Sequence, residues 1–254
     1  MTNTISLGGV PNFRDCGGLP AAGGRRVMAG RLLRSEAFAT LGDDDNAVLT
    51  ALEHLCVCDL RSSGERSEQV SPYMLHERME LLTAADSHEA GAVNLVQTFQ
   101  RMIDSPPEEM VAYMHHTYRK FALQFADTLR ELFERMLKAD APVLVHCAAG
   151  KDRTGFVCAV IQHAIGVPEA AIRADYLLSD QHFGAPRLAE LLHRRSGRHA
   201  PSPIVDALRV RADYLDDAFT TLVEQYGSVD EYLTALGLTP SRRLALQARM
   251  TVAV

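Results

Sequence analysis

No stretch of this 254-residue chain is apolar for long enough to span a bilayer, which excludes an integral helical membrane protein. The first residues, Met1-Thr2-Asn3-Thr4, lack the basic segment and apolar core of a cleaved secretory signal. Basic residues are in deficit: the formal net charge is −6, which argues against a general nucleic-acid binder, since those present a basic face. Cysteine is sparse and odd in number, five in all, without disulfide-framework spacing. Cys56 and Cys58 have no second Cys or His pair at ligand spacing, so core packing is expected of them rather than metal binding. The adjacent His115 and His116 do not share a helix face, and no metal role is read for them. There is no internal repeat, low-complexity tract or linker. What remains is a soluble chain of ordinary apolar content, long enough for one large α/β domain. These points favour a cytoplasmic protein, with export lacking a cleaved signal left open.

The chemistry is concentrated in one place. Val143-Leu144-Val145 after Pro142 reads as a buried strand, and the apolar run from Phe156 to Ile161 as a packed helix that stops near Gly166. Between them lies His146-Cys147-Ala148-Ala149-Gly150-Lys151-Asp152-Arg153-Thr154-Gly155. A strand, a tight loop and a helix start gather backbone N–H groups at one spot, which suits an anion. Cys147 and Arg153 are spaced as Cys-x5-Arg. That places a thiol beneath a phosphate-sized anion and a planar guanidinium fork on its oxygens. Helix N-termini, amides and a nearby Arg favour a thiolate, and a thiolate supports covalent catalysis. Ala148, Ala149 and Gly150 are expected to offer backbone N–H groups to the anion. His146 is expected to fix the loop backbone, and Thr154 to offer its hydroxyl to the sulfur. A buried structural cysteine alone would not account for His, Gly, Arg and Thr at these offsets.

The His-Cys-x5-Arg-Thr loop resembles the signature of the protein tyrosine phosphatase superfamily. Its fuller form, Ala-Gly-Lys-Asp-Arg-Thr-Gly, is similar to a group of bacterial and fungal tyrosine phosphatases. Four further stretches resemble the same group: Asn12-Phe13-Arg14-Asp15 with Gly17-Gly18; Gly30-Arg31-Leu32 with Arg34-Ser35; Asp59-Leu60-Arg61-Ser62 with Glu65; and Tyr226-Gly227-Ser228 with Tyr232-Leu233. The resemblance therefore spans nearly the whole chain. It implies a central, mostly parallel sheet flanked by helices, with a helical lid insertion, and hydrolysis of phosphomonoesters through a phosphocysteine, without a cofactor or metal. It also implies an acid inside the phosphate loop, which Asp152 matches.

Taken in order, residues 5–35 read as short strands and turns. Arg14 and Asp15 either support the site or tie down the N-terminus. A helix is expected over 41–54, then a buried parallel strand over 55–60. Ligands bind beyond the carboxyl ends of such strands, so Asp59 and Arg61 either approach the cysteine loop or form a structural ion pair. Residues 83–99 suggest a flap, with Asp86 as a second candidate acid. A helical region over 105–138, with Ser105 as its cap, carries core residues Phe121, Phe125, Leu129, Leu132, Phe133 and Met136. Another helix begins at Pro168-Glu169. Residues 180–212, with the basic cluster His193-Arg194-Arg195-Ser196-Gly197-Arg198-His199, are either the lid or a solvated connection. Two helices are expected to close the single domain, residues 1–254.

Lys151 adds a point charge beside a bound phosphate, as in phosphoinositide phosphatases. The substrates expected are therefore phosphorylated proteins, phosphotyrosine first and with dual specificity open, or phosphoinositides. Non-catalytic binding of phosphorylated ligands is the alternative of another class, although both Cys147 and Arg153 are present. Arsenate reduction and sulfur transfer fit poorly, given where the loop lies and its Gly-Lys-Asp-Arg-Thr sequence.

Overall fold

The computed structural model describes residues 10, 12–38, 44, 47, 54–71, 79–84 and 103–254. Asp86 and all but residues 83–84 of the expected flap over 83–99 lie outside the described residues, as does most of the expected 41–54 helix.

Among the described residues, the sheet that positions the loop has five strands: β1 (Arg14–Asp15), β4 (Leu32–Ser35), β5 (Cys56–Asp59), β6 (Glu80–Thr83) and β7 (Val143–His146). Their order is β1-β4-β7-β5-β6. All pairs are parallel except β1 with β4. β7 lies between β4 and β5 and is buried along its whole length, hence its unbroken apolar run. Side chains alternate between two cores, as strand geometry requires. Leu32, Cys56, Cys58, Val143 and Val145 join the larger core, whereas Leu33, Val57 and Leu144 join a smaller one with Phe13 and Phe38. Cys56 and Cys58 are thus core residues on one face. The register sets Ser35, His146 and Asp59 side by side at the carboxyl ends of the strands.

A second, antiparallel sheet joins β2 (Pro20–Ala21), β3 (Arg25–Val27) and β8 (Thr251–Ala253). The helices are α1 (Ser63–Glu68), α2 (Pro107–Gln124), α3 (Ala126–Lys138), α4 (Asp152–Ala164), α5 (Glu169–Phe183), α6 (Ala185–Ser196), α7 (Ser202–Ala207), α8 (Ala212–Tyr226), α9 (Val229–Ala235) and α10 (Pro240–Met250). α4 is buried from Thr154 through Gln162, so its sequence is apolar nearly all round.

The helical region over 105–138 is divided at Phe125. Two expectations need correction. The cap position of its first helix is Pro106 rather than Ser105. Pro107 is the first helical residue, where the missing N–H would have had no intrahelical partner, and the Glu109 amide is met by Pro106 O (3.0 Å). The chain closes with three helices and a strand rather than two helices. That strand is legible only through its partner β3, more than two hundred residues away.

Candidate active site

The loop from Cys147 to Lys151 leaves the buried end of β7 and enters α4, with Cys147 only 2% exposed. Its carbonyls are held from outside. The Leu60 amide donates to His146 O (2.9 Å), and the Ala37 amide to Ala148 O (3.2 Å). Asn12 Nδ2 donates to Ala149 O (2.8 Å), and Arg34 to Gly150 O (3.2 Å). In a trans peptide the N–H points opposite to the C=O, and no cis peptide occurs among the described residues. The N–H groups of Ala149, Gly150 and Lys151 are therefore turned away from these partners, toward the inside of the loop. None of the three donates in a hydrogen bond among the described residues. No side chain caps the start of α4, so its first amides join the same set. Gly150 is obligatory: its φ is +68°, and a Cβ there would strike the Ser35 carbonyl and sit 2.5 Å from Glu36 N.

A buried polar cluster behind the loop sets these bonds. Asp175 accepts from Arg14 Nε (3.0 Å), Arg34 (2.8 Å) and Gln162 Nε2 (2.9 Å). Ser179 Oγ accepts from both arginines, and Arg14 also donates to Asn12 Oδ1 (2.9 Å). Burial would raise the Asp175 carboxyl, but Arg34 and Arg14 outweigh it and hold it at about 2. Arg14 thus reaches the loop indirectly, through Asn12 and through the Asp175 and Ser179 that it shares with Arg34. Asp15 accepts from the Gly17 amide and from the Gly30 amide, and so ties the end of β1 to the turn before β4.

Arg153 lies in the first turn of α4. It donates to Leu60 O (3.2 Å) and to both oxygens of Glu65 (2.6 and 2.8 Å). A guanidinium has five N–H donors. Three are used, leaving Nε–H and one N–H of the neighbouring nitrogen, the pair that forms a bidentate fork. Glu65 is fixed in turn by its capping box with Ser62 at the start of α1. Burial pushes Glu65 up, yet the hydrogen bonds and charge of Arg153 bring it down to about 2. Glu65 matters here although its residue type alone gave no sign of it; the signal was the Ser62-x-x-Glu65 capping pattern after a strand end.

Asp59 and Arg61 form the structural pair. Arg61 donates twice to Asp59 Oδ2 (3.2 and 2.7 Å) and also to Gln69 O and Ser71 Oγ. Asp59 comes within 3.6 Å of His146 Nε2. Burial nonetheless pushes the His146 ring down to about 4, so at neutral pH this is a carboxylate beside a neutral imidazole. His146 Nδ1 lies 3.5 Å from Cys147 O, and the His146 carbonyl anchors Leu60. Thr154 Oγ1 is buried without a hydrogen-bond partner, so the expected bond to the sulfur is not made.

Lys151, expected to add a point charge beside a bound phosphate, already has partners within the protein. Its Nζ is buried, donating to Leu208 O (2.5 Å) and lying 2.8 Å from Asp152 Oδ2. Asp152 Oδ1 accepts from the Tyr118 hydroxyl of α2 (2.8 Å), which meets the Tyr176 hydroxyl of α5 at 2.7 Å. Burial raises both phenols, which keeps them protonated. Neither tyrosine stands out in the sequence, since both occupy core positions of their helices.

The site thus combines a buried thiol, a row of inward N–H groups, a guanidinium fork and one partly exposed carboxyl. Such a set suits an oxyanion attacked by sulfur.

Comparison with known proteins gives the same direction. The tyrosine phosphatase family model matches residues 5–252. A Cupriavidus necator protein provisionally named a tyrosine-protein phosphatase is 34% identical, over 88% of this chain and 80% of its own. The triple specificity protein phosphatase PtpB of Mycobacterium tuberculosis is 30% identical, over 92% of this chain and 94% of its own. A solved structure of Pseudomonas aeruginosa TpbA is 17% identical over 78% of this chain and 94% of that one, with a TM-score of 0.34. With the family match running over residues 5–252, this chain belongs to the tyrosine phosphatase family.

Proposed function

We propose that this chain hydrolyses phosphotyrosine in proteins through a phosphocysteine on Cys147. The observation that carries the reading is the set of loop carbonyls held from behind. It leaves the N–H groups of Ala149, Gly150 and Lys151 beside Cys147, with the spare fork of Arg153 at the other end of the loop. In the first step the Cys147 thiolate attacks phosphorus. The S–P bond forms, the P–O bond to the phenol breaks, and Asp152 gives its proton to the departing oxygen. The amides and Arg153 hold the three remaining oxygens. Water then attacks the phosphocysteine, Asp152 takes its proton, the S–P bond breaks and phosphate leaves.

Other readings fit less well. With Lys151 committed to Leu208 and Asp152, the lysine gives little support to a phosphoinositide substrate, which needs a second cation near the loop. The basic side chains of residues 180–212 are also largely matched: Arg187 to Glu36, Arg198 to Asp104 and Arg209 to Asp180. In this reading α6 and α7 act as a cover held on the loop by Arg187–Glu36 and Lys151–Leu208, within one catalytic domain.

The test compares wild type with Cys147→Ser on phosphotyrosine, phosphoserine and phosphothreonine peptides and on a phosphoinositide, with chelator throughout. The broad specificity in the PtpB name makes the whole panel necessary. The expected result is wild-type turnover, highest on phosphotyrosine, and none in the variant. Phosphoinositide as the best substrate would overturn the substrate assignment. Tight phosphopeptide binding without any turnover would replace the enzyme by a binding module.

A further inference from the structure

We infer that Tyr118 is a positioning residue for the acid step: its hydroxyl, backed by Tyr176, fixes the Asp152 carboxyl so that the proton reaches the leaving oxygen. The inference rests on the proposed role of Asp152 and deepens it.

An ionised carboxylate only accepts hydrogen bonds. At the 2.8 Å contact Tyr118 is therefore the donor and Asp152 Oδ1 the acceptor. A hydroxyl has a single proton, so at the 2.7 Å contact Tyr118 accepts and Tyr176 donates. The result is a one-way chain, Tyr176 to Tyr118 to Asp152. Both phenols are rigidly held. Tyr118 is fully buried and packs on Phe121 (centroids 4.9 Å apart) and Tyr214 (5.6 Å), and Tyr176 is 1% exposed. Gly155 of α4 admits the Tyr176 ring, since a Cβ there would come within 2.7 Å of it. On the other side Lys151 meets Oδ2, and is itself held by Leu208 O. Asp152 is thus gripped from two helices and the loop, although its own side chain is 22% exposed and reaches solvent. When the carboxyl is protonated, Tyr118 at Oδ1 and Lys151 at Oδ2 still fix its orientation, and each oxygen keeps a second lone-pair site able to carry the proton. As the P–O bond breaks, that proton passes to the leaving oxygen, and Asp152 returns to the state that Tyr118 donates to.

A group that positions an acid matters most when the leaving group is poor. The experiment measures kcat/KM for phenyl phosphate and for an aryl phosphate of a strongly acidic phenol, in wild type, Tyr118→Phe, Tyr176→Phe and Asp152→Asn. Tyr118→Phe is expected to lose about tenfold on phenyl phosphate and no more than about twofold on the activated ester, the size of one hydrogen bond to a charged group. Tyr176→Phe should give the same pattern, smaller. A loss of general packing would depress both substrates together. If Asp152→Asn is selective and Tyr118→Phe is not, the inference is overturned while the role of Asp152 stands. If Asp152→Asn loses equally on both esters, the acid assignment itself fails, and the inference with it. Should Tyr118→Phe not fold, Tyr176→Phe decides: a selective loss supports the chain, and an equal loss or none overturns it.

Discussion

Arg153 and His146 show how much of this site depends on side chains being held rather than merely present. Arg153 is fixed by Glu65 and Leu60 and still keeps a fork for an oxyanion. His146 has no exposed surface and sits neutral beneath the loop. Its ring falls from an ordinary 6.5 to about 4. Between those values the unfolded chain binds a proton that the folded one does not. Linkage then makes folding stability fall as pH drops from about 6.5 to about 4, with no further loss from this group below that. Denaturant titrations across that window should show the slope in wild type and a shallower one in His146→Asn; an unchanged slope would remove His146 as its source. Glu65 acts lower. Its stabilisation is present above its ordinary 4.5 and disappears as pH falls toward about 2. At this scale the sequence was legible where one motif brings Cys147, Arg153 and Asp152 together in a single loop and helix start. It was silent on Tyr118 and Tyr176, because a phenol on the buried face of a helix reads as packing until its hydroxyl finds a partner.

The element that does the work is the β7–α4 loop, and its shape is set by segments distant in sequence. Asn12 comes from the turn before β1, Arg34 from β4, and Asp175 and Ser179 from α5. Strand and helix were readable from β-branched and apolar runs. The outward hold on the carbonyls was not, because hydrogen bonds across more than a hundred residues leave no local pattern. The Asn12-Phe13-Arg14 resemblance pointed to the segment without saying what it does. Asn12→Ala should free the Ala149 carbonyl and loosen the amide of Gly150. Inhibition by inorganic phosphate should then weaken about tenfold, the value of a buried hydrogen bond to a preorganised loop. A lowered melting temperature with unchanged phosphate inhibition would make Asn12 purely structural.

For the whole molecule, the sheet order brings Ser35, His146 and Asp59 to one edge, where a parallel sheet places its ligands. The mostly parallel sheet was expected from the family resemblance, together with the buried apolar strand over 55–60. The small second sheet was not, since β2, β3 and β8 are each too short to show a period. It joins the two ends of the described chain, with Arg25 donating to Thr251 Oγ1 (2.7 Å) and Thr251 O (2.6 Å). Arg25→Ala should therefore cost about 1–2 kcal/mol of stability in denaturant while kcat/KM on an aryl phosphate stays the same. A matching fall in kcat/KM would tie this sheet to the site. No helix among the described residues is long and apolar enough to cross a membrane.

The central claim is the covalent intermediate on Cys147, and rapid acid quenching tests it most directly. Enzyme would be stopped during turnover of an activated aryl phosphate and its peptides mapped by mass spectrometry. One phosphoryl group on the peptide carrying Cys147, absent from Cys147→Ser, is the result expected. Continued turnover in Cys147→Ser, or a phosphoryl group on another residue, would contradict the account.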